Sequence, residues 1–141
     1  YEREVVLVRN AGTAKEYVIM GYIDQCFRTD DQKLTVLDFK TGGAKKVADY
    51  SGPDYNQTRL YSHALSVTEG EEVGNTLVSL LHRKGNSTIP GDKNVLRLEG
   101  TIEEIPTPYD PEETEEWLKS FDSVVEQISD HITFYNKYFV D

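Results

Sequence analysis

Residues 21–42, GYIDQCFRTDDQKLTVLDFKTG, read as two strands joined by a polar turn at Thr29, Asp30, Asp31 and Gln32. Side chains along a strand alternate, so in the second strand Leu34, Val36, Asp38 and Lys40 share one face, and Leu37 and Phe39 the other. Both faces stay apolar until the strand's end, as in a central strand covered on both sides. A carboxylate and an ammonium at the exit of such a strand need a compensating partner, most simply a metal ion or a bound polyanion. Asp24 stands 14 positions before Asp38, and a hairpin turning over 29–32 brings the two carboxylates close.

Outward from this stretch, residues 2–9 alternate Glu4, Val6 and Val8 against Val5, Leu7 and Arg9, a half-buried first strand. Residues 17–27 and 33–40 are the second and third strands, and the three together predict an antiparallel meander. Gly21 marks a bulge or a close approach of another backbone. After Thr41, Gly42 and Gly43 end the third strand, a glycine-rich loop to about residue 53 reads as a mobile segment suited to closing over a substrate. Asp54 is expected to cap a helix over 54–67 that turns Leu60, Ala64 and Val67 to the core. Gln57 and Tyr61 share a second face of that helix, and Arg59 and His63 a third. Strands are expected over 75–83 and 93–98. A last helix opens at Asp110, Pro111, Glu112 and Glu113 and carries Trp117, Phe121, Val124, Val125, Ile128 and Ile132 at helical spacing. The aromatic end, Phe134, Tyr135, Tyr138 and Phe139, is an interdomain contact if exposed. Pattern alone gives an α/β or α+β chain with a mixed sheet.

Composition sets limits. A chain of 141 residues is one domain with room for a core, and 38% hydrophobic with 28% charged residues is the balance of a folded domain, not a disordered one. No run reaches the ~18–20 apolar residues of a membrane span, and the start does not read as a signal peptide. The single cysteine, Cys26, excludes an internal disulfide, a cysteine-based zinc site and a four-cysteine iron–sulfur cluster. Its simplest role is a small core residue, compatible with a reducing, cytoplasmic setting. The net charge of −10 is unevenly spread: residues 101–141 hold 11 acids against 2 bases, while residues 1–100 hold 14 against 13. The acidity belongs to the last segment, and no basic stripe is present that would hold DNA unaided.

Three blocks carry a resemblance: Gly21-Tyr22-Ile23-Asp24, then Leu37-Asp38-Phe39-Lys40-Thr41-Gly42, then Gln57 with Tyr61. In this order they resemble the RecB-like branch of the PD-(D/E)xK nuclease superfamily, over residues 2–65, about half the chain. A bare D-x-K occurs by chance in many proteins, and the ordered set is what gives specificity. The resemblance implies a restriction-endonuclease-like core, a central mixed β-sheet flanked by helices, over a single domain of residues 1–141. The chain opens on Tyr1 already entering a strand, which reads as a domain cut from a longer protein. The family places a further His or Glu ligand on a helix upstream of the first strand, and no such helix fits before Glu2.

The resemblance further implies that Asp24, Asp38 and the Phe39 carbonyl hold Mg²⁺ or Mn²⁺ and that Lys40 positions or deprotonates the attacking water. Gln57 and Tyr61 would support the site and meet the nucleic-acid backbone. Thr41, Lys45, Lys46 and Arg59, with Arg83 and Lys84, are candidate phosphate contacts, and Glu4 is a candidate outer acid. A plainer account stands beside each: Asp38–Lys40 as a structural ion pair, Asp24 as a turn cap, Gln57–Tyr61 as a helix surface pair and the lysines as ordinary surface charges. Two functions follow. One is a metal-dependent DNA nuclease, expected to be an exonuclease module coupled to a helicase or recombination machine. The other is a nuclease-fold scaffold or nucleic-acid-binding domain without catalysis.

Overall fold

The computed structural model describes residues 2–43, 46–84 and 97–140. Strands β1 (Arg3–Arg9) and β2 (Tyr17–Ile23) pair antiparallel, Val5 opposite Gly21 and Arg9 opposite Tyr17. Val5, Leu7 and Ile23 point inward, whereas Val8, Val18, Met20 and Tyr22 are exposed, so this ribbon buries one face only. The expected strand over 17–27 breaks at Asp24, which forms a bend, and β3 (Gln25–Arg28) belongs to another sheet. At the break the Asp24 carboxylate accepts the Phe39 N–H at 2.8 Å, a side-chain bond standing in for the ladder. The expected three-stranded meander is therefore divided between a two-stranded and a four-stranded sheet.

The four-stranded sheet runs β3-β4-β5-β6, with β4 at Leu34–Gly42, β5 at Val73–Lys84 and β6 at Arg97–Pro106. β3 and β4 form the anticipated hairpin over 29–32, closed by Gln32 N–H to the Thr29 carbonyl at 2.9 Å, with Gln32 left-handed at φ 66°. β4 and β5 are parallel and β5 and β6 antiparallel, so the sheet is mixed. Leu34 through Asp38 are all buried, as a covered central strand requires, but Phe39 is 53% exposed and the sheet face beneath it is open. β6 replaces the strand expected over 93–98: it runs to Pro106 through Glu103 and Glu104, whose charges hid it, and Glu103 meets His82 at 2.8 Å. Residues 93–96 lie outside the described residues.

Between β4 and β5 the chain crosses over through α1 (Lys46–Ser51) and α2 (Gln57–Glu69). The loop expected to be mobile up to residue 53 thus contains a short helix, whose Val47 and Tyr50 pack with Tyr55 against Val78, Leu80 and Ile105. α2 starts at Gln57 behind Asn56, not at Asp54, because a turn closed by Tyr55 N–H to the Gly52 carbonyl separates the two helices. It ends at left-handed Gly70, where the amides of Gly70 and Glu71 bond the Ser66 and Leu65 carbonyls. Its buried face is rotated from the expected one: Ala64 is buried and Leu60 packs against the core as expected, but Val67 is 61% exposed, and Thr58, Ser62 and Leu65 join the buried side. Hydroxyls make that rotation affordable. Thr58 and Thr107 Oγ1 lie 2.8 Å apart, Thr107 Oγ1 donates to Thr76 Oγ1 at 2.8 Å, and Ser62 donates to the Thr58 carbonyl at 2.8 Å.

α3 (Pro111–Phe139) starts where the sequence announces it, Asp110 accepting the amides of Glu112 and Glu113. Leu118 joins Val5, Leu7, Ile23, Leu34, Val36, Ala64 and Leu65 in the main core, with Cys26 packed at its edge. Beyond Leu118 the apolar stripe of α3 is largely exposed, with Tyr135 stacked on Phe139 and Phe134 meeting Tyr138 in a tilted pair. The helix is anchored by Arg9, whose guanidinium grips Glu115 at 2.9 and 3.0 Å and Asp122 at 2.6 and 3.0 Å. Tyr17 bonds Asp122 and buried His63 bonds Glu115 at 3.0 Å, so the network joins β1, β2, α2 and α3. No helix among the described residues is long and apolar enough to cross a membrane.

Candidate active site

The centre is Asp38, near the carboxyl end of β4 and 3% exposed. β4 buries Val36 and Leu34 on the same face under α2, so strand alternation fixes the carboxylate toward that helix. One of its oxygens, Oδ2, lies 2.9 Å from Lys40 Nζ and accepts the Tyr55 hydroxyl at 2.9 Å. Lys40 also donates to Gln57 Oε1 at 3.0 Å, and Gln57 Nε2 donates to the Tyr61 hydroxyl at 3.0 Å. The Tyr55 hydroxyl is 3.2 Å from the same Gln57 oxygen. A closed chain of polar contacts thus runs from the strand end through the first turn of α2.

Asp24 completes the group. The bend between β2 and β3 swings its carboxylate against β4, where it meets the Phe39 amide and the Asp38 side chain. Burial raises the Asp38 pKa, Lys40 pulls it down, Asp24 pushes it up and Tyr55 pulls it down, and the balance lies above the usual aspartate value. The Tyr55 phenol is pushed far upward, by burial first and the Asp38 charge second, and so remains a proton donor.

Gly21 acquires its physical reason here. A Cβ on Gly21 would sit 2.6 Å from Cε1 of Tyr61. The first and third sequence blocks are therefore in contact: the glycine of β2 makes room for the ring whose hydroxyl holds Gln57. Of the two alternatives read at this glycine, close approach is the one realised, and by a side chain rather than a backbone.

The other candidates divide. Thr41 is exposed at the end of β4, lining with Phe39, Ser79, Leu81 and Ile102 a cleft of about 510 Å³. Lys46 is exposed on α1 and 3.4 Å from Asp49. Arg59 is not a surface residue: it is 6% exposed and bonds Asn56 at 3.2 Å, which does not fit an open phosphate contact. The reason is the rotation of α2, which turns Arg59 and His63 inward. Lys45 lies outside the described residues, as do the side chains of Arg83 and Lys84 in β5. Glu4 is exposed on β1 opposite Tyr22. Tyr55 draws no notice in the sequence: the helix expected over 54–67 includes it, outside the three blocks, whereas the structure places it before α2. Among the described residues no three His, Cys, Asp or Glu side chains converge, so the carboxylate pair is the available set.

The geometry can be set beside known proteins. No curated protein matches the chain. Among solved structures it is similar to the crystal structure of SSO0001, at 20% identity and a TM-score of 0.40, the match covering 93% of this chain and 48% of that one. The chain thus spans about half the length of that protein. A family model of the PD-(D/E)XK nuclease superfamily matches residues 1–138, from the first strand through the last helix, and the chain belongs to that superfamily.

Proposed function

We propose that this chain is a metal-dependent DNA nuclease domain of the RecB-like branch, working as an exonuclease within a larger helicase–nuclease or recombination protein. A role in repair, recombination or the processing of phage or mobile-element DNA fits that reading. What carries it is Asp38, a buried carboxylate beside a second carboxylate, with one oxygen shared by Lys40 and Tyr55. Burying two acids together raises the energy of their ionised forms, and a divalent cation offsets that cost where a lone lysine does not. Hard oxygen donors of this kind suit Mg²⁺ or Mn²⁺. Asp24, Asp38 and the Phe39 carbonyl are the groups proposed to hold the ion, which when bound supplies a Lewis acid and a more acidic water.

The chain's own residues do the rest. Hydrolysis adds water oxygen to phosphorus and breaks the bond to one sugar oxygen, which leaves with a proton. Lys40 is proposed to orient the attacking water and to meet charge developing on the phosphate. Gln57 holds the Lys40 ammonium, and Tyr61 holds Gln57. Thr41 and Lys46 are proposed as backbone-phosphate contacts, which set register without reading sequence.

Calorimetric titration of Mn²⁺ into the chain and into Asp38→Ala tests the site. Saturable binding that the substitution abolishes is expected. Binding unaffected by Asp38→Ala would remove the carboxylate pair from the reading. Cleavage of end-labelled linear DNA beside closed circular DNA then tests the reaction: loss of the linear substrate only is the exonuclease result, and nicking of the circle would overturn it. Metal binding without cleavage of either would favour the scaffold.

A further inference from the structure

Tyr55 belongs to none of the three sequence blocks, yet it makes one of the two contacts to Oδ2 of Asp38. Its ring is fixed independently of that contact. It packs with Val47 and Tyr50 of α1 on Val78, Leu80 and Ile105, and meets the Tyr50 ring edge-on at a centroid distance of 5.2 Å. The ring therefore arrives at Asp38 on a packing set by the β5–β6 half of the sheet and by α1, while its hydroxyl also lies 3.2 Å from Gln57 Oε1 at the start of α2. Oδ2 has two lone pairs, and Lys40 Nζ and the Tyr55 hydroxyl, each at 2.9 Å, occupy both. Oδ1 is the oxygen that neither donor takes.

We propose that Tyr55 is a positioning residue of the site: with Lys40 it ties up Oδ2 of Asp38, so that Oδ1 alone is offered to a divalent cation. The proposal rests on the metal-site reading above. Without the hydroxyl, Oδ2 keeps only the lysine, whose ammonium is also held by Gln57, and the carboxylate gains freedom to rotate about its last torsion. A ligand that must be ordered on binding gives a weaker site. Hydrogen-bond partners of metal-ligating groups cost about 10–100-fold in metal affinity when removed, and a loss of at least about 10-fold is expected here.

Tyr55→Phe keeps the ring and removes only the oxygen. Tyr50→Phe is the control, since it removes a hydroxyl from the same aromatic cluster without touching Asp38. Three quantities are read on the full chain: the Mn²⁺ dissociation constant by calorimetry, the unfolding midpoint without metal, and kcat against KM on linear DNA. The expected result for Tyr55→Phe is Mn²⁺ binding weakened by about 10-fold or more, a fall in kcat at subsaturating Mn²⁺, and an unchanged KM for DNA. Tyr50→Phe should leave Mn²⁺ binding unchanged. If both variants weaken binding equally, the effect is general loosening of the α1 cluster, and the proposal fails. If Tyr55→Phe binds Mn²⁺ like the unaltered chain while Asp38→Ala does not bind, the metal site stands and the role of Tyr55 falls. If the unaltered chain binds no Mn²⁺, the metal-site reading falls, and this proposal with it. Should Tyr55→Phe unfold, 3-fluorotyrosine at position 55 retains the ring and weakens the hydroxyl as an acceptor while strengthening it as a donor; unchanged Mn²⁺ affinity there would equally overturn the proposal.

Discussion

Replacing Gly21 by alanine tests the contact between the first and third sequence blocks. The added Cβ would lie 2.6 Å from Tyr61 Cε1, far inside van der Waals contact, and 3.4 Å from Cδ1 and Cζ. Glycine's φ here is not in the left-handed region, so the backbone accepts alanine and the penalty is wholly steric. Two terms compete. Alanine in a strand interior gains about 0.5–1 kcal/mol over glycine by restricting the unfolded chain. Forcing a packed ring aside costs about 1–3 kcal/mol. The ring cannot swing freely, because its hydroxyl accepts from Gln57 at 3.0 Å. The net expectation is a loss of about 1–2 kcal/mol, or roughly 4 °C in Tm per kcal/mol for a chain of this size. Urea unfolding of Gly21→Ala, Tyr61→Ala and the double variant forms the cycle that isolates the clash. In the Tyr61→Ala background, Gly21→Ala should turn neutral or stabilising. An equal cost in both backgrounds would refute the reasoning and return Gly21 to the role of a backbone bulge.

Other substitutions test separate parts of the structure. Lys40→Met keeps the length of the side chain and removes its charge; Mn²⁺ binding should persist while DNA cleavage falls by at least about 100-fold, measured under saturating metal. Leu118→Ala, at a fully buried position, should cost about 2–5 kcal/mol in urea unfolding, whereas Ile132→Ala on the exposed part of α3 should stay within about 0.5 kcal/mol. The Arg9 network predicts an acid limb. Arg9 chiefly, with Tyr17, holds Asp122 below its ordinary 3.8, and Glu115 lies below its ordinary 4.5 because Arg9 and His63 outweigh its burial. A lowered folded pKa means stability that is present above those ordinary values and lost as pH falls through the folded ones. Arg9→Gln should therefore lower stability at pH 7 by about 2 kcal/mol and flatten the decline below pH 4.5, read by unfolding across pH.

Much of the site was legible because its residues are tied to strand periodicity. Asp38 and Lys40 had to share a face of β4 whatever the rest of the chain did, and Gln57 and Tyr61 had to share a face of α2. The hairpin register that brings Asp24 back to β4 followed from the turn residues. The misses have a common cause, which is polar groups satisfied by partners within the fold. Arg59 reads as an open phosphate contact, and Thr58 and Ser62 stand outside the apolar face read for α2; buried, they meet the Asn56 side-chain oxygen, the Thr107 hydroxyl and the Thr58 carbonyl respectively. Glu103 and Glu104 argue against a strand until the His82 ring is found 2.8 Å from the Glu103 carboxylate. Tyr55 has no local pattern at all, because its place is set by β5 and β6 and its partner by β4.

Asp24 joins the fold and the proposed metal site at a single residue. A strand that continued straight through position 24 would stay in the β1–β2 ribbon and point this carboxylate off a face of that ribbon. The bend instead transfers the chain to the four-stranded sheet, and the carboxylate that makes the transfer by bonding the Phe39 amide is thereby delivered beside Asp38. One side-chain oxygen serves the backbone of β4, and the other is not used by that bond. Asp24→Asn separates the two roles, since its amide oxygen can still accept from Phe39 while its charge is gone. On this account Asp24→Asn should fold with near-normal stability and lose Mn²⁺ binding, whereas Asp24→Ala should lose both. If Asp24→Asn and Asp24→Ala were equally stable without metal, the bond to Phe39 would not be what turns the chain from one sheet to the other.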